Sequence, residues 1–390
     1  MIGDIGALQR QYPSEKTLIS DGQSDYKLWR LTGEDTLNYH FYFTENSFID
    51  GDEEIYFLSS RDTHPAVNIF HMDLRSGEID RLTGVTPPHT LKSATKTRDG
   101  RFLLYVIDRE LFLHDTKTGN RKIIYTIPEG FSGGRVSMNS DRTLVGILMN
   151  ERPPVPIAEN QPNYGTFMAR FYRIKTCRID VIDLATLNSR TVRIESCHGG
   201  HFQFSPTNPE IAMYCHEGPW HLVSQRIWLL NVNTGGIIPC YRQDAQDCVG
   251  HEFWTRGGRI FFDNRGAGHD GTITSSRAQA IVTAAHGGEK KPLVGFADEA
   301  GNILRLIDMP FYCNHYHATT DEKLLVGDEL DDIVLLDISG DTPKRMVLAR
   351  HGTSWSYSYT HCHPTFGWTD RKVIFASDRT GLTQAYMAEL

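Results

Sequence analysis

The chain has 390 residues, of which 39% are hydrophobic and 23% charged, a balance that excludes disorder and collagen-like repetition and allows a substantial core. Forty Lys+Arg against 48 Asp+Glu leave a formal net charge of −8, which argues against a surface built for nucleic acid or anionic membrane. The opening Met1-Ile2-Gly3-Asp4 has neither the basic nor the apolar stretch of a signal peptide, and the apolar run from Phe102 to Ile107 is too short to span a bilayer, so a cytoplasmic protein is expected.

Nearly every predicted element is a short strand rich in Val, Ile, Leu, Phe and Tyr, bounded by Asp-Gly, Asn-Pro, Gly-Gly or Thr-Gly turns. The first, from Tyr26 to Gly33, reads like the closing strand of a unit, because it matches Ile79-Asp80-Arg81-Leu82-Thr83-Gly84. The clearest whole unit runs from Arg98 to Pro128. It has a turn at Asp99-Gly100, strands from Phe102 to Asp108 and Leu111 to Asp115, a turn at Lys117-Thr118-Gly119, and a strand from Lys122 to Ile127.

The turn after each unit's first strand recurs at Gly51, Gly100, Arg142, Pro209, Gly258, Glu322 and Arg371. Seven units of about 50 residues predict an all-β fold, a seven-bladed β-propeller forming one domain over residues 1–390. Too little chain follows Arg371 for a four-stranded blade. The N-terminal strand, within about residues 15–45, is therefore expected to close the last blade and remove two open edges. Blades 3 and 5 carry long insertions, notably Asn150 to Thr176 with its Pro153-Pro154-Val155-Pro156, expected to be loops over one face.

Seventeen histidines are informative by position. His201, His251, His315 and His363 each stand seven or eight residues before a landmark turn, at the opposite end of the innermost strand, beside the central channel. They should converge on one mouth. His361 and His363 are two apart on an extended strand and point to the same side, so both imidazoles can reach one ion. His315 and His317 repeat that spacing. The favoured metal ligands are His315, His361 and His363, with His317 either supporting them or facing away. Imidazoles without thiolates suit Zn²⁺, Mn²⁺, Fe²⁺ or Ni²⁺, and the seven scattered cysteines form no Cys-x-x-Cys pair, against a disulfide frame or a thiolate zinc site. The competing reading is a set of polar residues lining a wet channel.

The loops between second and third strands open on the same face. Blade 4 supplies Cys215-His216-Glu217-Gly218-Pro219 there, followed by Arg226, whose planar fork is suited to clamp a carboxylate. A blade-to-blade salt bridge is the alternative for Arg226. Ser60-Arg61-Asp62 and Ser377-Asp378-Arg379 look alike in two blades and read as a structural turn. No nucleophile elbow, Walker loop or dinucleotide fingerprint is present.

Cys215-His216-Glu217-Gly218-Pro219, Gln225-Arg226-Ile227-Trp228, His251-Glu252-Phe253-Trp254, Cys313-Asn314-His315, Arg350-His351-Gly352-Thr353-Ser354-Trp355 and Thr360-His361-Cys362-His363-Pro364 together resemble the oligogalacturonate lyase family, in order along roughly the whole chain. The resemblance implies a cytoplasmic seven-bladed propeller that cleaves short pectin-derived uronides by β-elimination with a divalent metal, commonly manganese. It implies His315, His361 and His363 as metal ligands, His251 as the base and Arg226 as its catalytic partner. His201, His216 and Arg226 are expected to contact substrate. One departure stands out: the family places a glutamine ligand three residues before the His-x-His pair, where this chain has Ser358.

The chemistry agrees with the residues. Charge building on a uronate carboxylate during proton loss must be neutralised by a metal or an arginine, and an imidazole of reference pKa near 6.5 is available to accept the C5 proton. Two alternatives stay open: a lyase for another uronide, to which the Ser358 departure points, and a non-catalytic propeller that binds a ligand at the same mouth.

Overall fold

The computed structural model describes residues 11–20, 25–33, 35–158, 165–266, 269, 271–272 and 292–390. Their strands form seven antiparallel sheets, five of four strands and two of five. This is the seven-bladed propeller expected from the repeats. Blade 2 is typical, its strands Leu91–Lys96, Phe102–Ile107, Glu110–Asp115 and Arg121–Thr126 running from the channel outward. Phe102–Ile107 is almost wholly buried, whereas Arg121–Thr126 is mostly open to solvent, which is why one is apolar and the other charged. Five of the seven landmark positions have left-handed backbone. Gly100 (φ +69°) and Gly258 (+77°) take it freely, and Arg142 (+62°) and Glu322 (+57°) take it against their side chains.

The core lies between blades. Each of seven apolar clusters joins two neighbours, as where Val326, Ile333 and Leu335 of blade 6 meet Phe366, Val373, Phe375 and Tyr386 of blade 7. Burying each such side chain contributes about 1.5–3 kcal/mol.

Closure follows the expected route. Lys27–Arg30 pairs with Gln384–Glu389, with Leu28 opposite Ala388 and Trp29 opposite Met387, and Trp29 Nε1 donates to Glu389 Oε1 at 2.8 Å. Two features go beyond the expectation. Thr17–Ile19 adds a fifth strand to blade 7, and Gln11–Tyr12 pairs with Ile79–Arg81 of blade 1, so one N-terminal segment edges both blades.

The blade 3 insertion differs from the expected loop. Gly165–Arg173 is a helix, α1, and Phe171 packs so closely on Gly218 that a Cβ there would sit 2.3 Å from the ring. The helix exists because its aromatic side chain has blade 4 to pack on, and Arg170 and Arg173 in its last turn suit the negative end of its dipole. Most of the blade 5 insertion lies outside the described residues. Arg61 is tied to Ser59, Asn38 and Glu15, and Asp378 to Thr353 and Ser354, so both look-alike turns brace loops. Among the described residues no helix is long and apolar enough to cross a membrane.

Candidate functional site

The innermost strands of blades 4 and 5 carry a β-bulge where the site begins. In blade 4, Gly200 pairs with Cys215 and Gln203 with Met213, so His201 and Phe202 share one partner residue. In blade 5, Gly250 pairs with Asp263 and Phe253 with Phe261, which leaves His251 and Glu252 out of step. Such a bulge re-aims side chains. Gly250 has no alternative, because a Cβ there would fall 1.8 Å from the Trp220 ring, and Trp220 is a wall beside His251, ring centres 5.2 Å apart.

The histidines from blades 4 to 7 meet as expected. Ring centres lie 6.1 Å apart for His201 and His251, 4.3 Å for His251 and His315, and 4.1 Å for His315 and His363. One nitrogen from each of His315, His361 and His363 lies within 4.8 Å of the others. Burial keeps all three imidazoles neutral: His361 falls to about 4, and His315 and His363 lie well below their ordinary value. Neutral imidazoles are the ligand form, and the set fits a divalent ion. His315 Nδ1 donates to Asp328 Oδ2 at 2.8 Å, which leaves Nε2 for coordination. Ser358 is exposed at the start of a short 3₁₀ turn, Ser358–Thr360, and does not join the cluster. His317 turns away: its Nδ1 accepts from the Phe366 N–H at 3.3 Å and its ring stacks on Phe253.

His251 is desolvated and lies beside His315, Arg265 and His201, which together hold its pKa well below the usual imidazole value. Its Nδ1 is sealed from solvent without a partner, so Nε2 is the nitrogen open to a ligand.

Arg226 is 1% exposed and bridges blades 4 and 5. Its Nε donates to Glu252 Oε2 at 3.0 Å and its Nη1 to Glu217 Oε2 at 3.3 Å. His201 joins the network, with Nδ1 2.8 Å from Glu252 Oε1 and Nε2 3.3 Å from Glu217 Oε1. Burial would raise both carboxyls, yet Arg226 and His201 outweigh it, bringing Glu217 to about 2 and Glu252 lower still. The inter-blade salt bridge raised for Arg226 in the sequence is therefore real, and Nη2 is left without a partner among the described residues. His216 stands apart. Its rings of contact are Tyr214 and Trp228, and it lines a cavity of about 240 Å³ between α1 and blade 4 with Tyr172, His198 and Glu217.

Sequence reasoning, confined to histidines and motifs, missed five contributors. Asp328 orients His315. Glu252 holds Arg226 and His201. Tyr42 and Phe43 follow the innermost strand of blade 1, Asn38–His40, and enter the channel, where Phe43 touches the rings of His201, His251, His315 and His363. Arg135 of blade 3 lies over the Tyr42 ring at 4.0 Å. Its seven-residue offset from Arg142 is the one signal that would have found it.

The model of the family described as oligogalacturonate lyase matches residues 10–390. The chain belongs to the oligogalacturonate lyase family. It is thereby a carbon–oxygen lyase. Among curated members of this family, it is 25% identical to the oligogalacturonate lyase of Dickeya dadantii (strain 3937) and 24% identical to the oligogalacturonide lyase of Pectobacterium atrosepticum, each alignment covering 95% of both chains. The fold matches an oligogalacturonate lyase solved in complex with manganese, at a TM-score of 0.83, 24% identity and 98% coverage of both chains. It also matches the Vibrio parahaemolyticus oligogalacturonate lyase at 0.82, with 23% identity and the same coverage.

Proposed function

We propose that this lyase cleaves short oligogalacturonides by β-elimination, with His315, His361 and His363 holding Mn²⁺ and His251 as the base. The observation that carries the reading is a neutral, desolvated imidazole whose ring centre lies 4.3 Å from that of a ligand-type histidine. The names of the family and its curated members supply the substrate class, and the manganese complex of a related structure supplies the metal.

The metal, when bound, supplies a fixed positive charge for the uronate carboxylate. His251 Nε2 takes the C5 proton, and the electrons of that C–H bond become the C4=C5 double bond. The C4–O bond breaks, and its electron pair leaves on the glycosidic oxygen, which takes a proton from water. Arg226, fixed by Glu217 and Glu252, offers Nη2 to the carboxylate as the negative charge builds. His201 positions this arginine edge, and both contact the substrate, whereas His216, in the cavity beside α1, is outside this contact set. All seven cysteines are free and six are buried, in keeping with a reducing cytoplasm.

The test is ultraviolet absorbance of the protein with di- and trigalacturonate, with and without chelator and Mn²⁺. A rise abolished by chelator and restored by Mn²⁺ is expected. No rise with any divalent metal overturns the reading, and a rise only with glucuronide oligomers moves it to another uronide.

A further inference from the structure

The channel mouth contains a cation that has no ion-pair partner among the described residues. Arg135 lies in the blade 3 bulge, where Gly133 pairs with Met149 and Val136 with Ile147, so Gly134 and Arg135 are out of step just as His201 and His251 are in theirs. Its guanidinium carbon sits 4.0 Å from the centre of the Tyr42 ring. That ring is 4.7 Å from His363 and 5.5 Å from His201, and its hydroxyl is 3.2 Å from His201 Nε2. One tyrosine therefore spans the gap between Arg135 and the three-histidine cluster.

Among the described residues Arg135 makes no hydrogen bond or ion pair. Glu45, on the same loop as Tyr42, feels its charge but accepts from the Thr44 hydroxyl at 2.9 Å and stays beyond ion-pair distance. The other two arginines described at the mouth each have carboxylate partners. Arg226 has Glu217 and Glu252, and Arg265 has Asp263 and the carbonyls of Cys313 and Asn314. A half-buried guanidinium with no ion pair among the described residues has lost part of its hydration, and its planar fork matches a carboxylate.

We propose that Arg135 binds the carboxylate of the uronate adjoining the one held at the metal, on the leaving side of the cleaved bond. This rests on the oligogalacturonide reading above, and it makes the site select for a second acidic sugar. The reacting carboxylate answers the metal and Arg226; the neighbouring carboxylate answers Arg135.

Kinetics on digalacturonate, and on the same dimer methyl-esterified on its leaving sugar, test the proposal. Wild type should prefer the diacid. Arg135→Gln should raise KM for the diacid about 10- to 100-fold, as expected for loss of a charged hydrogen-bonded pair, keep most of kcat, and treat the ester as wild type does. Arg135→Lys should recover part of the loss. Equal handling of diacid and ester by wild type, which needs no variant to fold, overturns the proposal. Calorimetric binding of digalacturonate to metal-loaded His251→Ala, with and without Arg135→Gln, separates the two readings. Weaker binding in the double variant upholds the anchor even if wild type shows no turnover, and equal affinity overturns it even if the lyase reading stands.

Discussion

Asp328 grips His315 twice, accepting from its backbone N–H through Oδ1 at 2.5 Å and from its ring Nδ1 through Oδ2 at 2.8 Å. One carboxylate thus sets both the backbone and the tautomer of a candidate ligand. Asp328→Asn would present an amide N–H or a weaker acceptor to Nδ1 and release the tautomer. Metal affinity should fall about 10- to 100-fold, read by competition with a chelating dye, while the melting profile of the metal-free protein changes little.

His251 is the sharpest test of the roles. His251→Ala should lower kcat by at least about 10²- to 10⁴-fold while metal content and folding survive. Metal loss in that variant would instead make His251 a ligand. Elemental analysis of the purified variant, beside its circular dichroism, decides between them.

Arg226 has its charge balanced by two carboxylates, and Glu252 is fully buried. Glu252→Gln leaves a buried guanidinium facing one acid and frees His201 Nδ1. Breaking a buried pair in this way should destabilise the fold by about 3 kcal/mol, measured by denaturant unfolding, and activity should drop because Arg226 Nη2 is no longer held. Arg226→Lys should not restore either property, since one ammonium cannot engage Glu217 and Glu252 in the geometry of a guanidinium.

His114, in the third strand of blade 2, is buried beside Arg121 and its pKa falls to about 4, chiefly by desolvation and then by that arginine. The folded protein holds this group neutral while the unfolded chain protonates it below about 6.5. The unfolded state therefore binds the extra proton between these values, so the contribution is present above about 6.5 and lost as pH falls through about 4. His198, also lowered to about 4, acts in the same window. Unfolding free energy should decline from pH 6.5 to 4, and His114→Gln should make that decline shallower.

How much of this was legible depends on whether a feature is local in the chain. Repeating turns and strand periods are local, so the blade count, the closing strand near Trp29 and the in-phase histidines could be read directly. Spacing two apart announced His361 and His363, although they lie not on an extended strand but in the irregular stretch between the turn Ser358–Thr360 and the strand Thr365–Phe366, with His363 at φ +47°. The helix Gly165–Arg173 was not legible, because its aromatic side chain has meaning only against Gly218 of the next blade.

The sequence by itself determined the repeat, and with it which positions face the channel, because each blade is one local unit whose inner strand must begin at the mouth. Only the tertiary structure decided which charges are already answered. Glu217 and Glu252 reach Arg226 from different elements of two blades, and Arg135 is aimed by a register shift that no motif marks. Pairing across blades is set by ring closure and burial, which no single segment encodes.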